Sequence, residues 1–239
     1  HHESRRPCSG CQSHHGRPCQ RMTGVKICGI RDVQTMALCA RLKVDWVGFV
    51  FCETSPRVVM ADQASRLHDS APSAQENGPL RVGLFVKADD RSIEQVLKAV
   101  PLDILQIYDT ADRALEIQSR FGRPVWRACG IASRADLPTD PQMSGYVIEA
   151  PKQAQDSRPG GLGRTFDWSL TQNWTSPSFW MLAGGLTPEN VQNAIQESQA
   201  PAVDVSSGVE SSPGYKSAEL IEKFVANARK GLDLTSNLS

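Results

Sequence analysis

Ala202-Val203-Asp204-Val205-Ser206-Ser207-Gly208-Val209-Glu210 begins as an apolar run and opens into two hydroxyls and a glycine. Trp180-Met181-Leu182-Ala183-Gly184-Gly185-Leu186-Thr187-Pro188-Glu189-Asn190, a little earlier, has the same grammar. Each reads as a short buried strand leading into a loop and then a helix. Such loops turn unpaired backbone N–H groups toward an incoming anion. Two of them on adjacent parallel strands can hold a phosphate between them. In an eight-stranded β/α barrel this is where the loops after strands seven and eight lie. The stretch therefore points to a barrel and to a small phosphorylated ligand.

Working outward, apolar runs alternate with amphipathic stretches from Val25 onward. The expected strands are Val25–Cys28, Trp46–Phe51, Leu80–Val86, Ile104–Ile107, Pro124–Cys129, Tyr146–Glu149, Phe179–Leu182 and Ala202–Ser206. Ser92–Val100 carries Ile93, Val96, Leu97 and Val100 on one helical face, and Val191–Ile195 and Ala218–Val225 repeat that pattern. Strands without strict alternation suit parallel strands buried on both faces. The expected fold is α/β, a single eight-stranded parallel (β/α)8 TIM barrel. A doubly wound sheet competes, but the first strand is not followed by a G-x-G-x-x-G turn. Ser70–Pro79 is expected to be a surface loop, and Ala150–Gly163 a long segment at the catalytic mouth able to act as a lid.

The chain has 239 residues with no formal net charge, so no electrostatic footprint marks a nucleic acid or a membrane surface as partner. No apolar stretch approaches the ~20 residues that span a bilayer, and a cytoplasmic location is expected. Cys28, Cys39, Cys52 and Cys129 read as reduced thiols. Cys8, Cys11, His14, His15 and Cys19 have zinc-ligand chemistry. They lie, however, in an arginine-rich segment almost without aliphatic residues, which is expected to be a disordered leader rather than a metal site. The expected division is a leader over 1–22, one catalytic barrel over 23–231 and a tail over 232–239.

Two strand ends carry chemistry. Cys28 closes the first strand, and a thiol there projects into a barrel mouth, where nearby positive charge would lower its pKa and make it a base. Taken alone, it reads more readily as a buried small hydrophobe, and only its neighbours reverse that. Ser55-Pro56-Arg57 follows the second strand with a turn and a guanidinium able to grip a planar carboxylate by two hydrogen bonds.

In order, Val-Lys-Ile-Cys-Gly-Ile, Gly-Phe-Val-Phe followed by Ser-Pro-Arg, Val-Gly-Leu-Phe-Val, Phe-Asp-Trp-Ser-Leu, Leu-Ala-Gly-Gly-Leu-Thr-Pro-Glu-Asn-Val and Val-Asp-Val-Ser-Ser-Gly-Val-Glu strongly resemble the phosphoribosylanthranilate isomerases of tryptophan biosynthesis. The resemblance runs from about Val25 to Lys230. It implies a single barrel that converts N-(5-phosphoribosyl)anthranilate to 1-(2-carboxyphenylamino)-1-deoxyribulose 5-phosphate by an acid–base Amadori rearrangement, without metal or organic cofactor, as a monomer or homodimer. It further implies Cys28 as the base, Arg57 on the anthranilate carboxylate, and Gly184, Gly185, Ser206, Ser207 and Gly208 around the phosphate. Asp204 falls in the substrate-site motif, or serves as an internal hydrogen-bond acceptor. Side chains at Gly185 and Gly208 are expected to intrude on the anion, so that Gly208→Val raises KM while the fold stays intact.

Two positions depart from the resembled pattern. Where the family usually ends strand six in aspartate, its general acid, this chain has Glu149, one methylene longer. Where strand four usually ends Gln-Leu-His-Gly, this chain has Gln106-Ile107-Tyr108-Asp109, and Tyr108 is expected to wall the site. Glu149 is the expected acid and Asp156 the second candidate, since a strand end is more rigid than a loop. A non-catalytic phosphate binder would have no need of a thiol base. Indole-glycerol-phosphate synthase chemistry would need a lysine acid. A metal-dependent epimerase would need histidines at strand ends, whereas beyond the leader only His68 remains, on a predicted helix.

Overall fold

The computed structural model describes residues 22–153 and 164–230. Residues 1–21 of the expected leader, residues 154–163 of the expected lid with Asp156, and the expected tail lie outside the described residues. Eight parallel strands close into a barrel, each paired with the next and the first with the last. They are β1 (Gly24–Cys28), β2 (Trp46–Val50), β3 (Leu80–Val86), β4 (Ile104–Tyr108), β5 (Val125–Gly130), β6 (Gly145–Glu149), β7 (Phe179–Leu182) and β8 (Ala202–Val205). Every expected strand is present, its bounds moved by a residue at most.

Helices cover the outside: α1 (Val33–Arg41), α2 (Ala61–Asp69), α3 (Asp90–Ala99), α4 (Ala111–Phe121), α5 (Val191–Ser198) and α6 (Ala218–Arg229). Asp32, Asp89, Thr110 and Ser217 cap α1, α3, α4 and α6 by accepting an otherwise orphaned N–H of the first turn. The regular alternation fails after β5 and β6, where the described residues form only 3-10 turns at Arg134–Asp136 and Trp168–Thr171. Pro138 and Pro141 lie in the first of these connections, and proline inside a helix costs a hydrogen bond and a clash.

Side chains at alternate strand positions point into the barrel. At its N-terminal end Trp46, Trp126 and Phe179 meet with ring centroids 5.2–5.5 Å apart. Gly24 and Gly145 make this plug possible, since a Cβ on either would stand under 3 Å from an indole. Val82, Ile104, Val147, Met181 and Ala202 pack with it in the same inner cluster. The larger apolar core fills the space between barrel and helices, with Ile93, Val96, Val191, Ile195, Ile221 and Phe224 among its buried members.

Ser70–Pro79 is more than a surface loop. The Arg81 side chain, fully buried, donates from Nη1 to the carbonyls of Pro72 and Pro79 and from Nη2 to those of His68 and Ala71. The chain wraps the guanidinium because its own carbonyls are the nearest acceptors for a buried cation. After β8 a hairpin of β9 (Glu210–Ser212) and β10 (Tyr215–Lys216) precedes α6.

Candidate active site

Cys28, Arg57, Glu149, Gly184, Gly185, Asp204, Ser206, Ser207 and Gly208 all line one cavity at the C-terminal mouth of the barrel. The structure thus brings together every described residue that the sequence nominated. Val50, Leu84, Val86 and Leu186 give the cavity apolar walls, and Gln106 and Tyr108 complete it.

Cys28 is buried, and Gly48 on β2 leaves it room: a Cβ there would stand 2.7 Å from Sγ. Lys26, two residues earlier on the same face, is fully buried and its Nζ lies 3.0 Å from Asp204 Oδ1. Burial works against that ammonium, but Asp204 and Cys28 outweigh it and hold the Lys26 pKa above its usual value. The expectation that positive charge lowers the Cys28 pKa is reversed. Burial pushes the thiol up and prevails over the lowering by Lys26 and Lys216. Asp204 lines the cavity and at the same time accepts the buried hydrogen bond from Lys26.

Glu149 lies across the mouth from β1. Burial raises its pKa to about 8, the Tyr108 hydroxyl opposing the rise, Asp204 adding to it and Lys26 subtracting. The Tyr108 hydroxyl donates to Glu149 Oε2 at 3.2 Å.

Arg57 lines the cavity with its guanidinium already held. Nε donates to Glu210 Oε2 at 2.9 Å and Nη2 to Oε1 at 2.7 Å. The two-pronged grip expected for a substrate carboxylate is therefore made with Glu210, and Nη1 is the remaining nitrogen. Lys216 Nζ, also buried, lies 3.0 Å from Glu210 Oε2 and 3.0 Å from the Ser206 carbonyl. Burial raises the Glu210 carboxyl's pKa, but Arg57 and Lys216 outweigh it and bring the pKa below the usual range. Ser206 Oγ in turn donates to the Cys28 carbonyl at 3.1 Å. One chain of polar contacts thus links the arginine, the β8 loop and the end of β1.

The two glycine loops lie side by side. Gly184 and Gly185 both have positive φ, 89° and 67°. Asn190 pins the first loop, with Nδ2 donating to the Gly185 carbonyl and Oδ1 accepting from the Thr187 N–H. The N–H groups of Gly184, Gly185, Ser207 and Gly208 donate to no backbone acceptor among the described residues. The expected cause of glycine at 185 and 208 is corrected, however. A Cβ on Gly208 would meet the Leu186 carbonyl oxygen at 1.8 Å, and one on Gly185 would meet Thr165 Cγ2 at 2.5 Å. These glycines let the neighbouring loops approach, and a Cβ on either would strike protein before any ligand.

Lys26, Gln106, Glu210 and Lys216 went unnominated. Lys26 had a signal, since a lysine inside a buried strand requires a counter-charge and Asp204 sits in a strand of the same kind. Gln106 is buried and lines the cavity, and neither of its amide atoms has a hydrogen-bond partner among the described residues. Lys216 had no local signal, because its place is set by the hairpin. Among the described residues no group of His, Cys, Asp and Glu could hold a metal ion.

Residues 25–227 match a family profile described as N-(5'-phosphoribosyl)anthranilate (PRA) isomerase. The chain is 47% identical over 208 residues to the N-(5'-phosphoribosyl)anthranilate isomerase of Acidiphilium cryptum, spanning 87% of this chain and 98% of that one. A solved phosphoribosyl anthranilate isomerase from Thermotoga maritima superposes with a TM-score of 0.75 at 32% identity, covering 87% of this chain and 98% of that one. Another, in complex with reduced 1-(o-carboxyphenylamino)-1-deoxyribulose 5-phosphate, matches with a TM-score of 0.72 at 31% identity and the same coverage.

Proposed function

The chain belongs to the N-(5'-phosphoribosyl)anthranilate isomerase family, and from that premise we propose how its own residues divide the work. It isomerises N-(5-phosphoribosyl)anthranilate to 1-(2-carboxyphenylamino)-1-deoxyribulose 5-phosphate in tryptophan biosynthesis. The observation that carries the assignment is the meeting of a thiol, a buried carboxyl and two open N–H loops in one cavity.

Glu149 is the general acid. With a carboxyl that titrates at about 8, it holds its proton at neutral pH and gives it to the furanose ring oxygen, so that the ring opens to a Schiff base. Cys28 is the base. As the thiolate it takes the proton from ribose C2, leaving an enolamine that tautomerises to the ketone. Lys26 and Lys216 favour that thiolate against the cost of burial. Gly184, Gly185, Ser206, Ser207 and Gly208 bind the phosphate through backbone N–H groups and hydroxyls. Arg57 meets the anthranilate carboxylate through the nitrogen that Glu210 leaves free, and the Gln106 amide takes a sugar hydroxyl. All these groups come from one chain, so none of these roles calls on a residue of a second subunit. A cytoplasmic location agrees with the free state of Cys28, Cys39, Cys52 and Cys129 and with the absence of a membrane-crossing helix among the described residues.

Steady-state kinetics of single variants test the roles. Cys28→Ala and Glu149→Gln should each depress kcat by about 10²–10⁴-fold, the usual worth of a positioned acid or base. Full activity in Glu149→Gln together with an inactive Asp156→Asn would move the acid to Asp156.

A further inference from the structure

The two positions at which the chain departs from the motif pattern it otherwise follows are in contact. Tyr108 ends β4 and Glu149 ends β6, forty-one residues apart, and the tyrosine hydroxyl reaches Glu149 Oε2 at 3.2 Å. The span has a simple origin. A glutamate tip extends ~1.5 Å further than an aspartate tip from the same Cα, and a phenol carries its hydroxyl at the far end of a rigid ring. The longer acid therefore needs a fixed partner at the mouth, and the tyrosine supplies one. We propose that Tyr108 is a positioning residue for the isomerisation, holding the Glu149 carboxyl in its reactive orientation and stabilising the carboxylate left after the proton has gone. The inference rests on Glu149 being the acid.

The donor is well suited to this task. Tyr108 does not ionise in any useful range, because burial, with the negative charges of Glu149, Asp204 and Cys28, holds its pKa well above the usual phenol value. It therefore stays a hydrogen-bond donor in both states of Glu149. Its bond favours the carboxylate and opposes the effect of burial. The other groups facing Glu149 are Lys26 from β1, Cys129 from β5 and Asp204 from β8, with Cys28 acting on the Tyr108 hydroxyl and Arg127 and Lys152 along the adjoining groove. None of these is recorded in a hydrogen bond to the Glu149 carboxyl.

Tyr108→Phe removes one oxygen and keeps the ring. It should lower kcat by ~10-fold, the worth of one hydrogen bond to a charged group, with KM changed less than about twofold. Carbon-13 NMR of the glutamate carboxyls, with Glu149 assigned as the resonance lost in Glu149→Gln, should show its midpoint about one pH unit higher in the variant. In a Glu149→Asp background the shortened acid no longer reaches the phenol, so Tyr108→Phe should add little further loss. Were Tyr108→Phe to unfold, Tyr108→Leu would be read by the same measures. An unmoved midpoint, or an equal loss of kcat in both backgrounds, would overturn the proposal and leave Tyr108 as a wall. If the midpoint moves while Glu149→Gln stays active, the fault lies in the acid assignment, and the positioning role falls with it.

Discussion

At the scale of single residues, Cys28 and Glu149 are both displaced by burial in the same direction, and this sets the pH response. Glu149 titrates at about 8 and Cys28 above the usual thiol range. The pair that the proposed mechanism needs, thiolate with protonated carboxyl, is therefore the minority form at every pH. Its population grows as pH rises to about 8, stays level, and falls only once the thiol has ionised. The expected kcat/KM profile rises through pH 6–8 and does not decline before about 9; a maximum near neutrality would contradict it. Arg57 gives a second test. Glu210 clamps its Nε and Nη2, so Glu210→Gln should let the guanidinium swing away from the substrate carboxylate. We expect KM to rise by ~10-fold with a smaller change in kcat. The same variant should melt at a lower temperature, because Lys216 loses its buried counter-charge.

At the scale of elements, the glycine loops after β7 and β8 act as one unit. The Gly208 hydrogen faces the Leu186 carbonyl, where a Cβ would stand at 1.8 Å. Gly208→Ala should therefore push the two loops apart, raising KM and lowering the melting temperature together, where an anion-facing glycine would have affected KM alone. How much the sequence revealed follows from what each element depends on. Strands buried on both faces show themselves as apolar runs whatever their partners, so all eight were legible. The 3-10 turns that stand among the described residues after β5 and β6 were not, since a polar connection with prolines looks alike whether it ends as a short helix or as a 3-10 turn. In the site, residues at strand ends were legible because position along a strand fixes which end of the barrel they face. The Glu210–Arg57 clamp was not, because it joins residues 153 apart in sequence through a hairpin whose path no local pattern records. The direction of the Cys28 shift was hidden for a related reason: charge can be read from sequence, but the depth of burial that opposes it cannot.

At the scale of the molecule, the barrel divides its ends between chemistry and stability. Arg81, near the start of β3, is buried among the carbonyls of His68, Ala71, Pro72 and Pro79. Arg81→Met fills the space and leaves these acceptors without their donor. Unfolding in urea should show a loss of ~3 kcal/mol or more, while kcat per folded molecule stays unchanged because the mouth lies at the opposite end. The seam between β1 and β8 joins the two ends of the chain rather than the two faces of the fold, and this gives it a meaning in time. Lys26 and the aspartate it requires are 178 residues apart. At ~5–20 residues per second, synthesis delivers the second roughly ten to thirty-five seconds after the first. Until then a nascent chain on the ribosome carries β1 with an open edge, a lysine without its counter-ion and a thiol not yet enclosed. The last barrel strand to emerge closes all three at once, so a product released before it lacks the closed ring, the β8 loop and the ion pair together.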